Sequence, residues 1–162
     1  YKPMADILLP KIASEFGSEL VVESAHILYS KEPYGLHSDV LSGGHNPDGE
    51  IRPAWTFVIP LGDFNSNTIL FKEESGNIKT VHEWVDQTKP EVKNLVNEEM
   101  YKKYLSHCWM DDLQYLTPEA IFPWTKGSCF AASRYKFHTS DNYLANGVDT
   151  KIAIIMWTGY KK

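Results

Sequence analysis

The apolar positions of this chain follow two different periods, and the change from one to the other divides it into regions. In "MADILLPKIASEFG" the residues Ile7, Leu8, Ile12 and Phe16 lie near helical spacing, with Gly17 as a C-terminal stop. Pro10 falls inside that pattern, where it has no N–H to donate and crowds the preceding turn, so a short or kinked helix is predicted. "ELVVESAHILYS" then reads as a strand, with β-branched Val21 and Val22 and with Pro33 closing it. Short β-rich pieces separated by turn residues follow: "GLHSDVL", "AWTFVIPL", "NTILFKE", "GSCFAAS", "YKFHTS" and "KIAIIMWTGY".

Between "NTILFKE" and "GSCFAAS" lies sequence of another kind, from about residue 80 to 120. Pro90 stands where a first helical turn begins, and Val92, Leu95, Val96 and Met100 follow at helical spacing. This stretch reads as a helical insertion in a β domain. With no internal repeat and no linker, residues 1–162 are expected to form one domain. Its fold class is mainly β, an antiparallel sandwich or barrel with helices packed outside.

Composition narrows the function more than the fold. The 162 residues carry a formal net charge of -5, which argues against a partner bound through its phosphate backbone, since that needs clustered Lys and Arg. No apolar run approaches the roughly 20 residues that cross a bilayer, so neither nucleic acid nor membrane is an expected partner. Cys108 and Cys129 are the only cysteines, and with no signal-peptide pattern they read as reduced thiols of a cytoplasmic protein. Aromatic residues make up 13% of the chain, a bias toward strands and toward pockets for organic ligands.

Candidate chemistry begins at His37 and Asp39 in "YGLHSDVLSGG". Residues two apart on a strand share a face, so an imidazole nitrogen and a carboxylate oxygen could meet at one point. With six His and nine Asp, chance alone supplies such a pair in about one chain of this composition in three. A third ligand on a distant strand would complete a two-histidine, one-carboxylate triad, the arrangement that leaves positions open on Fe(II). His138 fits best, because a polar loop containing Gly147 and then a strongly apolar strand led by Lys151 follow it. His26, His45, His82 and His107 lack that context. Lys151, beside apolar residues, needs a charged partner if it points inward, and a ligand carboxylate would supply one. Arg134, Lys136 and Lys72 are its substitutes, with a turn expected around Ser133 to Tyr135. Trp55, Trp124 and Trp157 read as core, while His45 and Arg52, in a loop from Leu41 to Pro53 at the pocket mouth, could reach a substrate.

In these residues and their order, from about Leu20 to Tyr160, the chain resembles the 2-oxoglutarate and Fe(II)-dependent oxygenases. That family carries His-x-Asp, a distal His, and a basic residue ten to fifteen or so positions later that binds the far carboxylate of 2-oxoglutarate. Here these match His37 and Asp39, His138, and Lys151 thirteen positions on, with lysine where arginine is commoner. Tyr29 matches the tyrosine that often precedes the motif, "NTILF" resembles the fourth strand, and "WTKGSCFAAS" after Pro123 resembles the sixth.

The resemblance implies a double-stranded β-helix of jelly-roll, cupin-like type with a flanking N-terminal helix. It implies iron held by His37, Asp39 and His138, with 2-oxoglutarate held by Lys151 and Tyr29. It further implies a dioxygenase that uses O2 to hydroxylate a small molecule, an amino acid or a protein side chain, releasing succinate and CO2. The alternatives are a cupin-like metalloprotein that uses no 2-oxoglutarate, and a jelly-roll module whose aromatics stack on sugar rings.

Overall fold

The last strand shows how the layers are built. In β7 (Lys151–Lys161) Lys151, Ala153, Ile155 and Trp157 point one way, while Met156 points the other, as the two-residue period of a strand requires. β7 pairs antiparallel with β1 (Leu20–Ser30) on one side and with β2 (Ile51–Pro60) on the other, and β5 (Phe130–Ser133) extends β2. A second antiparallel sheet has the order β4 (Pro118–Pro123), β3 (Asn67–Glu74), β6 (Lys136–Ser140). The computed structural model describes residues 2–17, 19–41 and 50–161, and among them the chain is mainly β, two antiparallel sheets in a jelly-roll-like arrangement. A turn at Arg134 and Tyr135 carries the chain from β5 in one sheet to β6 in the other, where a turn was predicted.

Helices cover the outer faces. α1 (Lys2–Phe16) runs for 15 residues through Pro10, which excludes the short form of the short or kinked helix expected. The proline removes one backbone bond, but Leu8, Leu9, Ile12 and Phe16 bury against Leu20, Ala25, Ala54, Phe57 and Met156 of the four-stranded sheet, and that packing outweighs it. The three-stranded sheet is covered by the insertion, where Val81, Leu105, Cys108, Leu113 and Leu116 meet Ile69, Phe71 and Phe137. α2 (Val81–Thr88) starts at Thr80, whose hydroxyl accepts the Glu83 N–H, an N-cap with an acidic residue in the first turn.

Three expectations are corrected. Residues 90–97 are not helical: the backbone is left-handed at Lys89 and Asn94, and the Lys93 and Asn94 N–H groups both donate to the Gln114 carbonyl. The insertion ends earlier than residue 120, because Pro118–Pro123 forms β4 against β3. "GLHSDVL" is not a ladder strand; it follows the edge of β6 and touches it at an isolated antiparallel bridge between His37 and His138, with a second bridge from His37 to Thr80. Both cysteines are free thiols, as predicted. No helix among the described residues is long and apolar enough to cross a membrane.

Candidate metal centre

His37, Asp39 and His138 each present one ligand atom, and these atoms lie within 4.8 Å of one another. The backbone does most of the placing. His37 N–H donates to the His138 carbonyl at 3.1 Å and His138 N–H donates back at 2.9 Å, so the two imidazoles emerge side by side with ring centroids 4.3 Å apart. Ser38 turns the other way, its N–H and hydroxyl donating to the Lys79 and Ile78 carbonyls. Asp39 therefore comes back to the face of His37, with Oδ1 3.6 Å from His37 Nε2 and Oδ2 3.4 Å from His138 Nε2.

The protonation states suit a cation. His37 Nδ1 lies 2.7 Å from the Gly35 carbonyl and His138 Nδ1 3.2 Å from the Lys136 carbonyl. A carbonyl can only accept, so each ring places a proton on Nδ1 and aims Nε2 toward Asp39. Burial, reinforced by the His138 ring, lowers the His37 pKa to about 4, so the ring is neutral at neutral pH. Burial opposes ionisation of Asp39, but the His138 and His37 rings and the Thr56 hydroxyl outweigh it and hold the carboxyl below its ordinary pKa. Thr56 Oγ1 donates to Asp39 Oδ2 at 2.7 Å. The Trp157 indole, also close enough to help lower that pKa, has no acceptor in hydrogen-bonding geometry for its buried N–H. Two imidazoles and one carboxylate, convergent on one point, form a donor set that fits Fe(II).

The triad opens into a cavity of about 200 Å³ between the sheets, and Lys151 lines the same cavity. Lys151 is the first residue of β7 and is fully buried. Its ammonium donates to Ser66 Oγ at 3.1 Å and stands 3.9 Å from the Trp124 ring centroid and 4.6 Å from that of Tyr143. Ser66 in turn donates to buried Asp141 at 2.8 Å. Burial lowers the Lys151 pKa to about 7, with Asp141 acting in the opposite direction.

The other candidates separate clearly. Tyr29 is 59% exposed and does not line the cavity: His26, Leu28 and Ser30 face inward along β1, and the same alternation turns Tyr29 outward. Arg134 is buried against Asp39 and Glu23, Lys136 pairs with Glu119, and Lys72 is exposed. Trp124 and Trp157 are cavity walls, whereas Trp55 packs under α1. Arg52 lies over the Tyr160 ring, outside the cavity lining, while Gly43, Gly44 and His45 fall outside the described residues. Thr56, Ser66 and Tyr143 carry contacts that the sequence did not single out; Thr56 shares strand parity with inward Val58, the one signal that could have found it, and Ser66 and Tyr143 lie outside the strands.

No protein-family model matches the chain, and no curated protein matches it. Among solved structures it is similar to the non-heme alpha-ketoglutarate-dependent carbocyclase SnoK from nogalamycin biosynthesis, at a TM-score of 0.48 and 15% identity. The alignment covers 87% of this chain and spans 50% of that protein's length, a likeness too slight to carry an argument about activity.

Proposed function

We propose that this chain is a 2-oxoglutarate- and Fe(II)-dependent dioxygenase of double-stranded β-helix type, acting on a small molecule, an amino acid or a protein side chain. One observation carries the reading: the convergent His37, Asp39 and His138 ligand atoms share a cavity with one buried ammonium, that of Lys151. When bound, iron supplies the redox chemistry, in which substrate R–H, 2-oxoglutarate and O2 become R–OH, succinate and CO2.

The chain's own residues provide binding, orientation and exclusion of water. His37 and His138 bind through Nε2 and Asp39 through a carboxylate oxygen, their orientations fixed by the Gly35 and Lys136 carbonyls and by Thr56. Lys151 pairs with the remote carboxylate of 2-oxoglutarate, a charge partner that offsets its burial and fixes the cosubstrate's direction. Leu28, Val58, Phe130 and Ile155 supply apolar wall beside polar His26, Ser30, Thr68 and Ser140.

The test is anaerobic addition of Fe(II) followed by 2-oxoglutarate, watching for the visible charge-transfer band of a keto acid chelated to iron. The band is expected with the wild-type chain and absent with Asp39→Ala. A wild-type chain that binds Fe(II) but gives no band overturns the cosubstrate assignment.

A further inference from the structure

Two strands are irregular at one place, and a single buried side chain occupies it. β1 shifts register between Val22 and Ser24, and β2 between Pro53 and Thr56, on either side of the same stretch of β7. There Thr158 pairs with Val22, and Gly159 pairs with Val21 on one flank and Pro53 on the other. The guanidinium beside them belongs to Arg134, which is 1% exposed although it sits in a turn. Its Nε donates to the Asp39 carbonyl at 3.0 Å, and its Nη1 donates to the Thr158 carbonyl at 2.9 Å and to the Glu23 carboxylate.

The backbone of the same residue completes a ring of bonds. Asp39 N–H donates to the Arg134 carbonyl at 3.0 Å, and Arg134 N–H donates to the Ala54 carbonyl at 3.0 Å. Asp39 is thus held at both its N–H and its C=O by one residue. Gly159 leaves room for the counter-ion, since a Cβ there would stand 2.6 Å from Glu23 Oε1 and 2.7 Å from the Arg52 carbonyl.

We propose that Arg134, with Glu23 as its counter-ion, is a positioning residue for metal binding, fixing the Asp39 peptide so that its carboxylate faces the two imidazoles. The inference rests on the metal reading of the triad. Asp39 lies outside any strand ladder, so the repeated bonding that aligns His138 along β6 is missing for it. A planar fork with fixed N–H directions replaces that bonding, and a lysine cannot satisfy the same set of acceptors at once. Arg134 touches neither substrate nor metal in this role; it acts through Asp39.

The experiment measures Co(II) dissociation constants by titration of the visible d–d absorption, together with thermal midpoints, for the wild-type chain, Arg134→Lys, Glu23→Gln and Leu113→Ala. Leu113 is buried in the cluster under the insertion and serves as a control for lost stability alone. Arg134→Lys is expected to weaken Co(II) by about 10- to 100-fold, and Glu23→Gln by roughly 3- to 10-fold, with changed band shapes. Leu113→Ala should lower the midpoint and leave the dissociation constant at the wild-type value. If Arg134→Lys does not fold, Glu23→Gln decides. Wild-type affinity in the folded Arg134 and Glu23 variants, or an equal loss in Leu113→Ala, overturns the positioning role. A wild-type chain that takes up no Co(II) overturns the metal reading itself.

Discussion

Lys151 places its ammonium 3.9 Å from the centroid of the Trp124 ring, and the Asp141 carboxylate reaches it only through the Ser66 hydroxyl. A quadrupole and a relayed hydrogen bond stabilise a cation less than a direct carboxylate does, so part of the burial cost stays uncompensated, and the proposed 2-oxoglutarate carboxylate would offset it.

The pH dependence of cosubstrate binding follows. The Lys151 pKa in the ligand-free protein is lowered to about 7, and an anionic ligand raises it, so binding takes up a proton above pH 7. The dissociation constant for 2-oxoglutarate should be flat below pH 7 and weaken toward about tenfold per pH unit above it. Calorimetry at pH 8 in buffers of different ionisation enthalpy checks this through the number of protons taken up. Stability of the ligand-free chain runs the opposite way. The unfolded chain binds more protons between pH 7 and 10.5, so unfolding free energy should rise with pH across that window.

Substitution at the same residue separates cosubstrate from metal. Lys151→Met should weaken 2-oxoglutarate by at least about tenfold, the cost of one lost charged partner, while leaving Fe(II) affinity unchanged. Titration of the charge-transfer band reads the first quantity, and equilibrium metal binding reads the second. Tyr29→Phe should alter neither, because its ring faces solvent.

Thr56→Val keeps the side-chain shape and removes the donor to Asp39 Oδ2. The expected cost is about 1–3 kcal/mol of stability, for a buried carboxylate deprived of a hydrogen bond, accompanied by weaker metal binding. Urea denaturation with and without metal checks both.

Metal itself should stabilise the fold. At a free concentration about 100 times its dissociation constant, Fe(II) or a redox-inert substitute is expected to raise the thermal midpoint by about 5–10 °C. In His138→Ala the same addition should leave the midpoint where it was. A wild-type midpoint that ignores metal would contradict the triad.

Gly159→Ala tests the tight packing around Glu23. A Cβ there would overlap Ile51 Cγ2 and would also meet the Glu23 carboxylate and the Arg52 backbone carbonyl, and the backbone shift this forces in a sheet centre should cost about 1–3 kcal/mol. Chemical denaturation reads the loss.

What the sequence disclosed is what local periodicity encodes. The apolar run led by Lys151 was read as a strand, and in the structure Lys151, Ala153, Ile155 and Trp157 share the face that lines or closes the cavity. The pairing of His37 with Asp39 two residues on also survives, but through a bridge and a turned Ser38 rather than through a ladder strand. Val92 and Leu95 misled because their helical spacing is accidental: both are exposed, and the left-handed Asn94 between them is fixed by Gln114, some twenty residues on. Arg134 was equally unreadable. Its charge invited a ligand, whereas its partners are backbone carbonyls and a glutamate from remote parts of the chain, a set that only the folded chain brings together.

The bridge between His37 and His138 closes a loop of about a hundred residues, so the full triad exists only once that long-range contact has formed. Before that contact forms, sequence alone keeps His37 and Asp39 near each other, and His138 stands apart from them. If the proposed metal site is completed after the folding transition state, bound metal should slow unfolding while leaving the refolding rate nearly unchanged. The site would act as a latch on the finished protein rather than as a nucleus for its assembly.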